Sequence, residues 1–362
     1  MIGNWWCYFT VMIPILPALF FFWYTHSISA YSQYASKVDT LFSNCTTNPP
    51  SDDSTFAVVI PFPTKQVHNV MALLYIWSLP EFSPLFPPKS QNENDDENSN
   101  SVASEEQKTA AENLRKRTKL ILYPVYNDSA ITKAIENFIR DNEQVSKMLS
   151  DTFSSFEILP RQIEPRFDLY RRDYMHGQWI ASGNTEMFYP LMTEIAPNRN
   201  ITFVLYHEPD TFPLRNGWLE KVRSYAFAED SDFWFLGSQQ RQKKAFGGRI
   251  HGHMNGNSVV RVENKCARDF LTRVYKTYRF LPYDSSIMRY LVKQRNLREA
   301  QHVMRRMRYT DLIGNFAHVE VNREDILKRF PEMYLVHGKG YFTEINKILK
   351  LENFKAGLVD VE

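Results

Sequence analysis

Net charge and cysteine are both scarce in this sequence of 362 residues. Its 43 basic and 41 acidic side chains leave a net charge of +2, and this near balance excludes a global electrostatic argument for a nucleic-acid partner. Three cysteines are present. Cys45 and Cys266 could pair with each other, Cys45 could bridge two chains, or Cys266 could stay unpaired and buried. Hydrophobic residues, by contrast, make up 43% of the chain, which is ample for a large core.

Charge is absent altogether from Trp5 to Tyr24. The run has about the 20 residues that a helix needs to cross a bilayer. No Lys or Arg precedes it and aromatic residues lie at both ends, which favours an anchor that is not cleaved. The small residues Ser29 and Ala30 would suit cleavage, so a secreted soluble protein is the alternative. The sequence therefore predicts a cytosolic end at 1–4 and a transmembrane signal anchor at 5–24.

Three Asn-x-Ser/Thr triplets follow this run, at Asn44, Asn127 and Asn200. Because N-glycosylation marks lumenal chains, they predict a single-pass type II glycoprotein of the Golgi or ER membrane with its large domain in the lumen. Residues 25–54 are rich in Ser, Thr, Asn and Pro and show no sustained period. They predict a stem that holds the globular part off the membrane.

Apolar residues are nearly absent from the acidic stretch within 88–112. This composition cannot bury enough surface to order itself, so it predicts a disordered insertion. A calcium site is the sharper alternative, but the stretch lacks the glycine turn and terminal glutamate of a calcium loop. The insertion interrupts one catalytic domain, predicted at 55–362.

Strands and helices alternate through that domain. Apolar and β-branched runs predict strands at Thr55–Phe62, Lys119–Tyr126, Phe156–Leu159, Ile201–Tyr206, Asp232–Gly237, Ser258–Val262 and Tyr334–His337. Helical spacing predicts helices at Gln66–Ser78, Ala130–Leu149, Glu186–Glu194, Trp218–Ala226, Asn264–Tyr278, Leu297–Tyr309 and Phe342–Leu351. The pattern predicts an α/β fold, a mostly parallel sheet with helices on both faces.

Two carboxylates, Glu208 and Asp210, come directly after the apolar strand that begins at Ile201. Ligands of α/β proteins bind at the carboxyl ends of such strands. In extended backbone the two side chains would point to the same side. Oxygen ligands next to a diphosphate suit magnesium or manganese. The alternative is an ordinary exit from a strand, with Asp210 capping a turn.

Three segments together resemble the nucleotide-sugar glycosyltransferases of the GT-A type. They are Glu208–Asp210, the strand Phe233–Ser238 followed by His251–Asn257, and the late segment Tyr334–Gly340. In that family an Asp-x-Asp motif ends a strand and holds manganese against the donor diphosphate, and here glutamate replaces the first aspartate. The resemblance covers residues 55–345 and implies a GT-A-like, Rossmann-like fold.

The resemblance also implies a set of metal ligands. In retaining members a histidine near the carboxyl terminus completes the site, which here implies Mn²⁺ (or Mg²⁺) held by Glu208, Asp210 and His337, with Lys339 adding charge. Because the ends of strands in a doubly wound sheet meet at one edge, we expect Asp210 and His337 to lie within reach of one ion. The alternative for His337 is a hydrogen-bonded core histidine at a turn.

Further candidates concern the two substrates. In the resembling family the loop after the first strand receives the nucleotide base, which implies Pro63, Thr64 and Lys65, although a plain turn explains them equally well. Hydrogen-bonding groups are dense before a later strand and predict sugar binding by His251, His253, Asn255, Gly256 and Asn257. The pair Asn255-Gly256 is also typical of a turn.

Asp284 is the candidate catalytic base. An enzyme that inverts the anomeric centre needs a carboxylate to deprotonate the acceptor hydroxyl. The alternative is that Asp284 caps the helix that begins near Tyr283.

The sequence thus predicts a membrane-anchored, metal-dependent glycosyltransferase. Its donor would be a nucleotide-diphosphate sugar, with a UDP-sugar favoured, and its acceptor a glycan or glycoprotein. A non-catalytic, transferase-like membrane protein that binds glycans or organises a complex is the alternative, because the Glu-Pro-Asp motif departs from the family pattern.

Overall fold

A computed structural model describes most of the domain. The described residues are 32–33, 36–40, 42, 45, 49–51, 53–86, 112, 115–164, 167, 182–228, 230–239, 254–293, 297–317, 321–338 and 342–351. The predicted anchor at 5–24 and nearly all of the predicted insertion at 88–112 lie outside them. Among the helices of the described residues, none is long and apolar enough to cross a membrane.

The domain is built on a seven-stranded sheet and a smaller three-stranded sheet. The strands are β1 (Phe56–Phe62), β2 (Thr118–Pro124), β3 (Ser155–Ile158), β4 (Phe203–Tyr206), β5 (Thr211–Pro213), β6 (Phe235–Gln239), β7 (Met254–Arg261), β8 (Met307–Tyr309), β9 (Ile313–Ala317) and β10 (Leu335–Gly338). The large sheet has the order β3-β2-β1-β4-β7-β6-β8 and the small one β5-β10-β9. In the large sheet only β7 runs antiparallel to its neighbours among the described strands. The prediction of a mostly parallel α/β sheet is confirmed.

Helices cover this sheet. The helices are Val67–Ser78, Ser129–Asp141, Glu143–Thr152, Ser182–Pro190 with its continuation to Asn198, Trp218–Ala226, Lys265–Tyr278, Tyr283–Leu291, Leu297–Met304, Arg323–Arg329 and Phe342–Leu351. Strand β1 shows why both faces are covered, since every one of its residues is buried. Phe56 and Val58 face one hydrophobic core, while Ala57 and Val59 face the other.

Two predicted helices differ from the observed elements. The segment Ala130–Leu149 is two helices, because Asn142 has an extended backbone and its side chain accepts a hydrogen bond from Val145 N at 3.1 Å, which caps the second helix. The helix predicted to continue to Tyr309 ends at Met304. Its last residues instead form β8, where Met307 is buried by pairing with β6, so tertiary burial overrides helical propensity.

The three-stranded sheet brings a late part of the chain to an early one. β10 pairs antiparallel with β5, with His337 opposite Thr211. On its other side β10 pairs parallel with β9. β10 therefore lies beside the segment that leaves β4, although the two are far apart in sequence.

Part of the predicted stem packs against the domain. A disulfide joins Cys45 to Cys266, across a sequence separation of 221 residues. We call the described residues of 36–45 the docked segment. Val38 and Phe42 in it are buried in the core on the second face of the sheet. Of the alternatives for the cysteines, the structure has the pairing within one chain.

Charged and aromatic contacts add to the disulfide. Arg298 donates to both carboxylate oxygens of Asp39, with Nε and Nη2 each at 2.9 Å from an oxygen. His302 Nε2 lies 2.9 Å from Asp39, and its ring stacks on Phe42 with a centroid distance of 5.1 Å. Arg306 donates to the carbonyl of Cys45 at 2.9 Å. The docked segment is thus joined to the helix Leu297–Met304 and its end as well as to Cys266.

Candidate active site

The acidic pair lies in a tight turn at the end of β4. Residues Phe203–Tyr206 are fully buried, and after His207 the chain turns so that Thr211 N donates to the carbonyl of Glu208 at 3.0 Å. This turn leads directly into β5. The strand ends at Tyr206, so the turn, and not the extended backbone assumed from the sequence, places the two carboxylates on one side.

His337 faces both carboxylates. Its Nε2 lies 3.2 Å from Glu208 Oε2 and 3.3 Å from Asp210 Oδ1. One ligand atom from each of the three residues falls within 4.8 Å of the others. The expected convergence is observed, but its cause differs from the prediction. β10 is not a strand of the large sheet and reaches the site by pairing with β5, the strand that begins at Thr211.

The imidazole of His337 is oriented by a neighbouring strand. Its Nδ1 lies 3.2 Å from Oδ1 of Asn315, on β9. Donation from Nδ1–H to this amide oxygen leaves Nε2 as the nitrogen that faces the carboxylates, and loss of the Nε2 proton then gives the tautomer that a metal ligand requires. Asn315 was not a sequence candidate, because nothing around it distinguishes it from any other strand residue.

The side chain of Asn257 makes hydrogen bonds to both ends of this turn. Its Oδ1 accepts from Glu208 N at 2.8 Å and from Thr211 Oγ1 at 2.7 Å, and its Nδ2 donates to Glu208 Oε2 at 2.9 Å. Only 1% of the residue is exposed. Sugar binding by Asn257 stays a prediction, and in the structure its amide contacts Glu208 and Thr211.

The three side chains of the triad shift one another's pKa. Burial raises the pKa of Glu208 to about 7, against the opposing effect of His337. Burial lowers the pKa of His337, but Asp210 and Glu208 outweigh it and raise that pKa to about 9. Without a cation, a proton on His337 neutralises part of the carboxylate charge. A metal ion must displace that proton, so its affinity should fall as the pH falls.

Asp284 lies beside the triad, although not at the predicted position of its helix. The helix begins at Tyr283 with Pro282 as the cap residue, so Asp284 is within the first turn and does not cap it. Its Oδ1 accepts from Ser285 N at 2.6 Å. Its charge contributes to the raised pKa of both Glu208 and His337. Asp284 also lines a small cavity with Phe188, Ser258 and Tyr283.

The structure describes some of the remaining candidate substrate-binding residues and not others. Pro63 precedes a short 3-10 turn, Thr64–Gln66, directly after β1. Because β1 runs parallel to β4, this turn lies at the same edge of the sheet as Glu208. Asn255 and Gly256 belong to strand β7, so the turn alternative for that pair is wrong. His251, His253 and Lys339 lie outside the described residues.

His207 points away from the triad into the core. Its ring is fully buried between Trp77 and Trp218, with centroid distances of 5.3 and 5.7 Å. Neither ring nitrogen has a hydrogen-bond partner within the described part of the chain. Burial lowers the pKa of His207 to about 3, so the ring is neutral at physiological pH.

His207 should make the metal-free protein sensitive to acid. Unfolding exposes the ring, and its pKa returns to about 6.5. Between about pH 3 and pH 6.5 the unfolded state therefore binds a proton that the folded state does not bind. The destabilising effect of His207 is therefore absent above about pH 6.5, and it lowers the free energy of unfolding by up to about 1.4 kcal/mol per pH unit toward pH 4. We expect His207→Phe to remove this slope in urea unfolding with EDTA. Glu208 and His337 titrate in both proteins, so an unchanged slope in the variant would contradict the prediction.

No family model and no curated protein matches the sequence. Solved structures that resemble the chain include the galactosyltransferase LgtC in complex with donor and acceptor sugar analogs, at 10% identity and a TM-score of 0.39, over 81% of this chain and 95% of that one. Mouse xyloside xylosyltransferase 1, in its apo form, matches at 10% identity and a TM-score of 0.39, over 79% of this chain and 98% of that one. The mannosyltransferase PcManGT from Pyrobaculum calidifontis, in complex with GDP-Man and Mn²⁺, matches at 8% identity and a TM-score of 0.33, over 78% of this chain and 62% of that one.

Proposed function

We propose that this chain is a metal-dependent glycosyltransferase that moves a sugar from a nucleotide-diphosphate donor to a glycan or glycoprotein acceptor. The observation that carries the proposal is the meeting of Glu208, Asp210 and His337 at the carboxyl-terminal edge of a mostly parallel sheet. Such an edge is where α/β proteins bind nucleotides. The three side chains are 15–23% exposed, which leaves them open to an ion from solvent.

The residues of the triad fit a divalent cation. Two carboxylates supply oxygen ligands, and His337 presents a nitrogen whose other side is held by Asn315. Oxygen ligands suit magnesium and manganese, and the added imidazole favours manganese over magnesium. When bound, the ion would stabilise the negative charge that develops on the departing diphosphate.

The chain's own residues would divide the remaining work. The turn that contains Pro63, Thr64 and Lys65 is at the correct edge of the sheet to receive the nucleotide base. Lys339 follows His337 by two residues and would add positive charge beside the diphosphate. Asp284, next to the triad, would accept the proton of the acceptor hydroxyl if the reaction inverts the anomeric centre. Holding donor and acceptor together supplies much of the rate enhancement in such a site.

We further propose a lumenal location, with residues 5–24 as a type II membrane anchor in the Golgi or ER. The Cys45–Cys266 disulfide supports this, because such bonds persist in the oxidising secretory pathway and are rare in the cytosol. The three glycosylation triplets agree with it.

Hydrolysis of the donor tests the catalytic proposal without knowledge of the acceptor. We expect the purified full chain to hydrolyse at least one nucleotide sugar from a panel, with UDP-sugars first, and to lose this activity in EDTA and regain it with Mn²⁺. The rate at limiting Mn²⁺ should fall as the pH falls, because protons compete with the ion for Glu208 and His337, whose pKa values are both raised. Glycan binding without hydrolysis of any donor, with or without metal, would favour the non-catalytic alternative.

A further inference from the structure

Glu208 occupies a position where the resembling family has the shorter aspartate. A glutamate has one more rotatable bond, and ordering it costs additional side-chain entropy. Both of its carboxylate oxygens are nevertheless held. Asn257 Nδ2 donates to Oε2 at 2.9 Å, and the hydroxyl of Tyr283 donates to Oε1 at 3.2 Å. The second donor comes from a helix that starts 75 residues later in the chain.

The ring of Tyr283 is itself fixed. It stacks on Phe188 with a centroid distance of 4.2 Å and an interplanar angle of 14°, and meets Tyr206 edge-on at 5.4 Å. The residue is 4% exposed. Because this packing fixes both the position and the direction of the phenol, the hydroxyl is a rigid donor rather than a mobile one.

Gly256 on β7 leaves the space for that hydroxyl. A Cβ at this position would overlap the Tyr283 hydroxyl and would lie 3.1 Å from Glu208 Oε1. No side chain larger than hydrogen fits without moving the phenol or the carboxylate. The strand therefore has a glycine here for close approach, and not for a turn as the sequence suggested.

We propose that Tyr283 is a positioning residue for Glu208, in space left by Gly256, and that this support lets a glutamate act as a metal ligand in the first position of the Glu-Pro-Asp motif. The proposal rests on the proposed metal-dependent function. Each carboxylate oxygen of Glu208 accepts one hydrogen bond and keeps a second lone pair, and Oε2, which faces His337 Nε2 at 3.2 Å, is the oxygen placed to contact an ion. The departure from the family motif is thus compensated by a residue outside it.

Direct binding of Mn²⁺ tests this without an activity assay. Free Mn²⁺ is measured by electron paramagnetic resonance while the full chain is titrated with the ion, alone and with UDP. Tyr283→Phe keeps the stacked ring and removes only the hydroxyl. We expect it to weaken Mn²⁺ binding by about 10-fold or more, the lower end of the effect of removing a group that orients a metal ligand.

Tyr290→Phe is the matched control. Tyr290 lies on the same helix, is buried, and donates to Glu299 Oε2 at 3.1 Å, so the substitution removes the same kind of hydrogen bond away from the triad. Its Mn²⁺ affinity should equal that of the wild type. The thermal midpoints of both variants in EDTA report any general loss of structure.

A double-mutant cycle with Glu208→Asp separates positioning from a general effect. An aspartate is too short to keep the hydrogen bond with Tyr283. Glu208→Asp and Tyr283→Phe therefore remove the same hydrogen bond, and part of the loss of Mn²⁺ affinity caused by Glu208→Asp is already present in the Tyr283→Phe protein. We expect the loss of Mn²⁺ affinity caused by Glu208→Asp to be at least about threefold smaller in that background, a coupling typical of residues in contact. Additive losses would overturn the proposal.

Gly256→Ala supplies a second variant. It should push the phenol from Glu208 and weaken Mn²⁺ binding as Tyr283→Phe does, whereas Gly256→Ala binding as tightly as wild type would contradict the inference. If the wild type binds Mn²⁺ and Tyr283→Phe binds it equally well, the positioning role fails and the proposed function stands. If the wild type binds no Mn²⁺, even with UDP, both are overturned.

Discussion

Asp210→Ala and His337→Ala should each lower Mn²⁺-dependent donor hydrolysis by about 1000-fold. A metal ion that stabilises a departing phosphate contributes several kcal/mol to the transition state, and each 1.4 kcal/mol is a factor of ten in rate. In the structure both side chains face the same point, since Asp210 Oδ1 lies 3.3 Å from His337 Nε2. Removing either should therefore remove the same ion.

The double variant is the decisive comparison. Because both residues would serve one ion, Asp210→Ala combined with His337→Ala should be scarcely slower than either single variant. Asp230→Ala is the control for loss of a carboxylate, because Asp230 pairs with Arg308 on the surface. Its rate should match the wild type. Full manganese-dependent activity in the Asp210→Ala protein would remove this site from the reaction.

The strands around the triad could be predicted because a short continuous run of apolar residues is itself enough to indicate a buried strand. Phe56–Phe62 and Phe203–Tyr206 are continuous apolar runs, and both are completely buried central strands. Boundaries were less predictable where tertiary contacts decide them. Met307–Tyr309 joins a strand only because β6 offers it a partner, and no local pattern reports that.

The triad itself was predicted correctly as a cluster but from the wrong geometry. The sequence indicates which residues end apolar strands, and convergence at one sheet edge was a reasonable consequence. The observed cause is the antiparallel pairing of β10 with β5, a strand of three residues that carries too short a pattern to be recognised. Asn315 and Tyr283 were missed as supporting residues for a related reason, since their contacts with His337 and Glu208 depend on the packing of separate elements.

The docked segment shows a similar limit. Its Ser- and Asn-rich surroundings resemble a spacer, and its few apolar residues give no period. Val38 and Phe42 are nevertheless buried, and Phe42 packs against Trp234 and stacks on His302, which both come far later in the chain. A chain shortened to begin after Cys45 would expose this part of the core, so functional assays should keep the segment.

Removing the Cys45–Cys266 disulfide should produce the largest loss of stability outside the core. The bond closes a loop of 221 residues, and the chain-entropy model assigns about 5 kcal/mol to such a loop, against a measured range of about 2–5 kcal/mol for native disulfides. We expect Cys45→Ser combined with Cys266→Ser to lower the thermal midpoint by about 5–15 °C in calorimetry. The contacts of Asp39 with Arg298 and His302 would still hold the segment, so the fold itself should survive.

Reductant provides the control for that experiment. Dithiothreitol should lower the midpoint of the wild type to that of the double variant and leave the double variant unchanged, because the bond is then absent from both. Adding Asp39→Ala to the double variant should lower the midpoint again, since the docked segment then also loses its contacts with Arg298 and His302 through Asp39. A wild type whose midpoint is indifferent to reductant, together with a free thiol at Cys266, would show that the two cysteines do not pair in solution.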